Sequence, residues 1–95
     1  MEMLSILPER NLNRLEIEVL RIVRESPYRV SLKTILESLN YSKLDVINAV
    51  KSLLEKSYLR QNIKDGVPWN NYNATFFTEP YRRKIIDRIL KRVNK

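Results

Sequence analysis

Apolar residues recur along this chain at helical spacing in four places, broken once by a stretch that alternates. Over 11–26, Leu12, Leu15, Val19, Ile22 and Val23 recur at threes and fours, which predicts one helical stripe. Pro27 ends it, because the residue before a proline is pushed out of the α region. Arg29-Val30-Ser31 leaves room for a very short strand. Ser31 is then placed to cap a second helix that turns Leu32, Ile35, Leu36 and Leu39 inward. Asn40 stands where that helix must stop, and asparagine tolerates the left-handed conformation of a helix end. Ser42 opens a third helix, with Ser42-Lys43-Leu44-Asp45 reading as a capping box that has Asp in place of Glu. Its apolar arc is Val46, Ile47, Ala49, Val50, Leu53 and Leu54. Asp45, Asn48, Lys51, Ser52 and Glu55 fall on the other side, and Leu44 sits alone among them.

After Ser57 the pattern changes. Tyr58–Lys64 reads as a strand, Asp65-Gly66 as the turn and Tyr72–Phe77 as the return strand. Thr78 is expected to cap a last helix with Glu79 and Pro80 in its first turn, and with Tyr81, Ile85, Ile86, Ile89, Leu90 and Val93 on its apolar side. The order is helix, short strand, helix, helix, strand, loop, strand, helix. Two helices joined by a tight connection and followed by a β-hairpin form a helix-turn-helix with a wing. The expected fold class is therefore mainly α with a small β-hairpin. Residues 1–95 read as one domain, with 1–10 as an N-terminal extension and 79–95 as a C-terminal helix.

Composition narrows the chemistry. Cysteine and histidine are both absent, so no disulfide, no zinc site built on those ligands and no Ser–His or Cys–His nucleophile pair is available. One glycine cannot build a phosphate-binding glycine loop. No catalysis, cofactor or metal is expected. No apolar run reaches the roughly 18–20 residues needed to cross a bilayer, and the N-terminus lacks the basic region of a signal peptide, so a cytoplasmic location is expected.

The net charge is +7, and it is unevenly spread: residues 79–95 carry seven basic side chains against Glu79 and Asp87. Such a chain concentrates anions at its surface, nucleic acid foremost, although a solvated face that keeps the chain soluble explains the same charge.

The stretch LKTILESLNYSKLDVINAVKSLLEKSYL, Leu32 to Leu59, resembles the helix-turn-helix core of MarR-like and ArsR-like winged-helix regulators. Thr75–Tyr81 looks like that family's return from the wing into the last helix. The likeness runs over roughly residues 12–93. Asn40 and Ser57 stand where glycine is frequent, Pro80 and Tyr81 replace a Lys-Gly pair, and no arginine lies on the outer face of the third helix. The Lys/Arg/Ile-rich, cysteine-free makeup is similar to that of small archaeal and archaeal-virus regulators.

The resemblance implies double-stranded DNA as the partner. It places Ser42, Lys43, Leu44, Asn48, Lys51 and Ser52 of the third helix against the major groove, where Asn48 can bond an adenine edge and Leu44 can touch a thymine methyl. In the wing it implies Arg60, Lys64, Asn70 and Asn71 on the backbone or in the minor groove. Trp69 is expected to fold back on the hairpin, since an isolated indole is costly to leave wet. The apolar stripe Tyr81, Ile85, Ile86, Ile89, Leu90 and Val93 either packs on its own domain or forms a homodimer interface. Met1, Met3, Leu4, Ile6 and Leu7 have no place in a three-helix core and are expected to cross to a partner subunit. Three functions are open: a transcriptional regulator, a sequence-independent DNA-coating or architectural protein, and a winged-helix module that binds protein.

Overall fold

Asn13 begins the first described helix by closing a reciprocal box. Its side-chain oxygen accepts from the Glu16 N–H at 2.8 Å, and its own N–H donates to the Glu16 carboxylate at 2.7 Å. Two of the unpaired amides of a helix start are satisfied in this way. The helix is α1, Arg14–Glu25; then follow β1, Val30–Ser31; α2, Leu32–Ser38; α3, Lys43–Glu55; β2, Leu59–Gln61; a single 3-10 turn, Ile63–Asp65; β3, Thr75–Thr78; a second 3-10 turn, Pro80–Arg82; and α4, Arg83–Val93. The computed structural model describes residues 12–93, so the expected N-terminal crossing segment lies outside the described residues.

β3 is the central strand of a three-stranded antiparallel sheet in the order β1-β3-β2. Val30 faces Phe76 on one side, and Leu59 faces Thr78 on the other. Phe76 is therefore fully enclosed, together with Leu20, Leu32, Ile35, Leu53, Leu59 and Ile86. Each large apolar side chain so buried contributes roughly 1.5–3 kcal/mol relative to leaving it in water. α1 runs through the middle of this core and packs against α2, α3, β3 and α4. Its buried face is consequently wider than one stripe: Glu16, Ile17, Val19, Leu20 and Val23 are all buried. The expected stripe leaders Leu15 and Ile22 are only partly so.

The helix ends differ from expectation in an informative way. Ser31 does cap α2, accepting from the Thr34 N–H at 3.1 Å, and Ser42 caps α3, accepting from Asp45 at 3.1 Å. Leu39 ends α2 with extended backbone, and Asn40 does not take the left-handed conformation. Ser57 takes it instead, at φ 65°. The Ser57 N–H bonds the Leu54 carbonyl and the Tyr58 N–H bonds the Leu53 carbonyl, which is the Schellman closure. Buried Leu53 and Tyr58 supply the apolar contact that accompanies it.

The wing is shorter in its strands and longer in its loop than expected. Asp65-Gly66 is not the hairpin turn: Asp65 ends the 3-10 turn and Gly66 closes it at φ 69°. Residues 72 and 74 leave the hairpin because their carbonyls accept from the first amides of α2, Lys33 at 3.1 Å and Leu32 at 2.9 Å. Those amides have no partner within their own helix, so the loop is drawn onto α2. The last helix also starts later. Thr78 is the buried end of β3, and Glu79 is the cap, its carboxylate accepting from the Tyr81 N–H at 3.2 Å.

Candidate nucleic-acid interface

α3 is held from one side only. Val46, Ala49, Val50 and Leu53 are buried, and at roughly 100° per residue the opposite face consists of Leu44, Asn48, Lys51 and Glu55. All four are exposed, Leu44 at 66% despite being fully apolar. Among the described residues neither Asn48 nor Lys51 has a side-chain hydrogen bond or an ion pair. Asn48 borders an open cavity of about 630 Å³ where α3 faces the start of α1.

The structure separates the other residues singled out on this helix. The Ser42 hydroxyl is engaged in the cap. The Lys43 ammonium lies 4.6 Å from the centre of the Tyr72 ring, a cation–π contact that ties the start of α3 to the returning arm of the wing. Ser52 does not stand on the outer face: it is half-buried and lines the cavity between α3 and the start of α1 together with Glu16. The Glu16 carboxylate is almost wholly buried and accepts from the Lys56 ammonium at 3.0 Å. Burial alone pushes the Glu16 carboxyl up. The bonds from Ser52, the Asn13 backbone and Lys56 outweigh burial and hold it below its ordinary value. No sequence reading pointed to this junction, although Asn13-x-x-Glu16 is a legible capping signal.

In the wing, Arg60 is exposed but engaged. Its guanidinium pairs with Glu79 at 3.1 Å, so it braces β2 against the start of the last helical segment. Lys64 and Asn70 are exposed. Asn71 is exposed as well, but its side-chain oxygen accepts from the Asn73 N–H at 2.8 Å and shapes the loop. The Asp65 carboxylate accepts from the Thr75 hydroxyl at 2.6 Å and the Thr75 N–H at 2.8 Å, with Asn62 on its other oxygen. These bonds, first the two from Thr75, hold its carboxyl below the usual range. Trp69 and Val67 are partly buried against the core, as expected for the indole.

At the C-terminus the expected dimer stripe divides. Ile86, Ile89 and Leu90 are buried within the single chain, which corrects their assignment to a partner surface, because α1 already covers them. Ile85 is partly buried and Tyr81 is 94% exposed. The Val93 side chain lies outside the described part of the chain. Among the described residues no group of acidic side chains is placed to hold a metal ion, and no helix is long and apolar enough to cross a membrane.

A helix-turn-helix whose second helix presents a free polar face, followed by a β-hairpin and a covering helix, defines a winged-helix domain. The fold is shared with the multiple antibiotic-resistance repressor (MarR) from Listeria monocytogenes, with a TM-score of 0.71 at 11% identity, over 87% of this chain and 57% of the repressor's. An uncharacterized protein of Methanocaldococcus jannaschii is 41% identical over 93 residues, which is 90% of this chain. The chain spans about a quarter, 26%, of that relative's length. No family model matches the chain.

Proposed function

We propose that the chain binds double-stranded DNA as a winged-helix transcriptional regulator, with α3 in the major groove and the wing on the backbone or in the minor groove. The observation that carries this reading is the outer face of α3. Leu44, Asn48 and Lys51 project from a rigid, core-anchored helix, and none of them is engaged by the rest of the described chain. A major groove admits such a helix, and this set is chemically apt: an amide for an adenine edge, an apolar tip for a thymine methyl, and an ammonium for phosphate or guanine. Lys43 at the start of α3 and Lys64 and Asn70 in the wing are exposed as well. The MarR likeness supports the fold on which this reading rests.

A homodimer is part of the proposal. It would use Tyr81 and Ile85 rather than the buried residues of α4, and would set two copies of α3 on successive major grooves roughly 34 Å apart.

The test is selection of duplexes from a random pool, followed by titration of Asn48→Ala on selected and random DNA. An enriched site is expected. Asn48→Ala should lose about 1–3 kcal/mol on that site and little on random sequence. A pool that returns no enriched sequence, with Asn48→Ala indifferent, refutes the regulator. It favours the sequence-independent architectural reading, which the absence of arginine on the outer face of α3 also suits.

A further inference from the structure

Both acids of the C-terminal segment are used internally. Asp87 bonds Arg24 of α1 through its two carboxylate oxygens, at 2.7 and 3.1 Å. Glu79 caps the 3-10 turn and pairs with Arg60. The apolar side of α4 is buried in the core. What α4 shows to solvent is mostly cationic: Asp87 is half exposed beside the stripe but is held by Arg24, and Lys84, Arg88 and Lys91, spaced by four and three, form one exposed row. None of the three has an ion pair among the described residues.

This arrangement works against the helix that carries it. Like charges at i,i+4, as in Lys84 and Arg88, repel. Arg83 and Lys84 follow in the first turn of α4, whose one nearby acid, Glu79 ahead of the 3-10 turn, is already shared between the Tyr81 amide and Arg60. A face kept only for solubility would gain from an acid at either place. An external polyanion relieves the repulsion among these cations.

The direction of the stripe separates it from α3. α1 lies between the two helices: its Glu16 reaches Lys56 beyond the end of α3, whereas its Arg24 and Arg21 reach Asp87 and the Leu90 carbonyl of α4. Each helix turns its apolar side to this shared core, so their solvent faces diverge across a helix layer roughly 10–12 Å wide.

We infer that the outer face of α4 is a second, sequence-independent surface for the phosphate backbone, which holds a second duplex while α3 engages the first, so that the protein bridges two DNA segments. This rests on the groove reading of α3. The occupant is phosphate backbone for a chemical reason. A protein interface wants a desolvated anchor in a pocket, and a membrane-surface helix wants a free apolar face. The stripe offers neither, but a row of point charges is what counterion release from DNA requires.

The experiment is duplex co-capture. One biotinylated duplex is held on beads, a fluorescent duplex of unrelated sequence is in solution, and the full chain is added at low salt. Single-duplex affinity is measured separately by anisotropy. Wild type is expected to co-capture. The triple variant Lys84→Ala, Arg88→Ala, Lys91→Ala, all at exposed positions, should lose co-capture by about tenfold or more while single-duplex affinity falls by about threefold or less. Undiminished co-capture by the triple variant overturns the proposal, since bridging would then arise elsewhere, as from a dimer. Single-duplex binding without co-capture by wild type also overturns it. Asn48→Ala with Lys51→Ala separates the two readings: if that pair leaves single-duplex affinity intact while the triple variant abolishes it, α4 is the primary DNA surface, and both the groove reading and the bridging inference fail. Wild type that binds polyglutamate but no duplex overturns the DNA occupant.

Discussion

Ser57 is a side chain in a conformation that suits glycine better. Left-handed backbone costs a non-glycine residue roughly 1–2 kcal/mol, and the Schellman bonds hold it there. Ser57→Gly relieves that strain, while the extra freedom of glycine in the unfolded chain offsets part of the gain. The expected result is about 0.5–1 kcal/mol more stability, seen as a higher urea midpoint with an unchanged slope. Glu16 gives a pH dependence. Its folded carboxyl titrates below the ordinary 4.5, so the stability it confers is present above that value and is lost as pH falls through the lower, folded value. Asp65 acts in the same direction. Unfolding followed from neutral pH down to the acid range should show this loss, and Glu16→Gln should flatten it; an equally steep acid transition in Glu16→Gln would place the effect elsewhere. The caps at Ser31 and Ser42 were legible because their partners lie three residues away. The surroundings of Ser52 and Arg60 were not legible, because Glu16 and Glu79, which lie beside them, come from elements distant in sequence.

At the scale of elements, the sequence named each of the four described α-helices, and it was least accurate where an element borrows bonds from another. The wing was read as two long strands because 58–64 and 72–77 have strand composition. Tyr72 and Ala74 instead give their carbonyls to α2, and the Asp65 carboxylate closes the loop onto Thr75. α4 was read with two possible uses for one apolar stripe. Burial of Ile86 at 0% and Leu90 at 6% assigns those residues to the chain's own core. Ile86→Asn with Leu90→Asn should therefore unfold the protein rather than release folded monomers. Losses of roughly 2–5 kcal/mol at each site, about 4–10 kcal/mol together, are comparable with a total near 5–15 kcal/mol. Circular dichroism and sedimentation decide this: a cooperative, folded monomer in the double variant would mean that the stripe faces a partner after all.

For the molecule as a whole, the charge of +7 sets the expected binding behaviour. If about six phosphates are neutralised, the logarithm of affinity should fall against the logarithm of salt with a slope near −5. A slope near zero in a titration over several salt concentrations would remove the electrostatic basis of the DNA reading. The sequence alone determined the fold class and the order of elements, because helical periodicity, caps and proline breaks are local and read along the chain. It also determined the absence of thiol and imidazole chemistry and the excess of positive charge. Only the tertiary structure decided which charges are free. Asp87, Glu79 and Glu16 each meet a cation brought close by folding, so the same composition leaves α4 with a cationic face and gives α3 an open one. Ion pairing depends on distance through space, and separation along the chain does not set that distance.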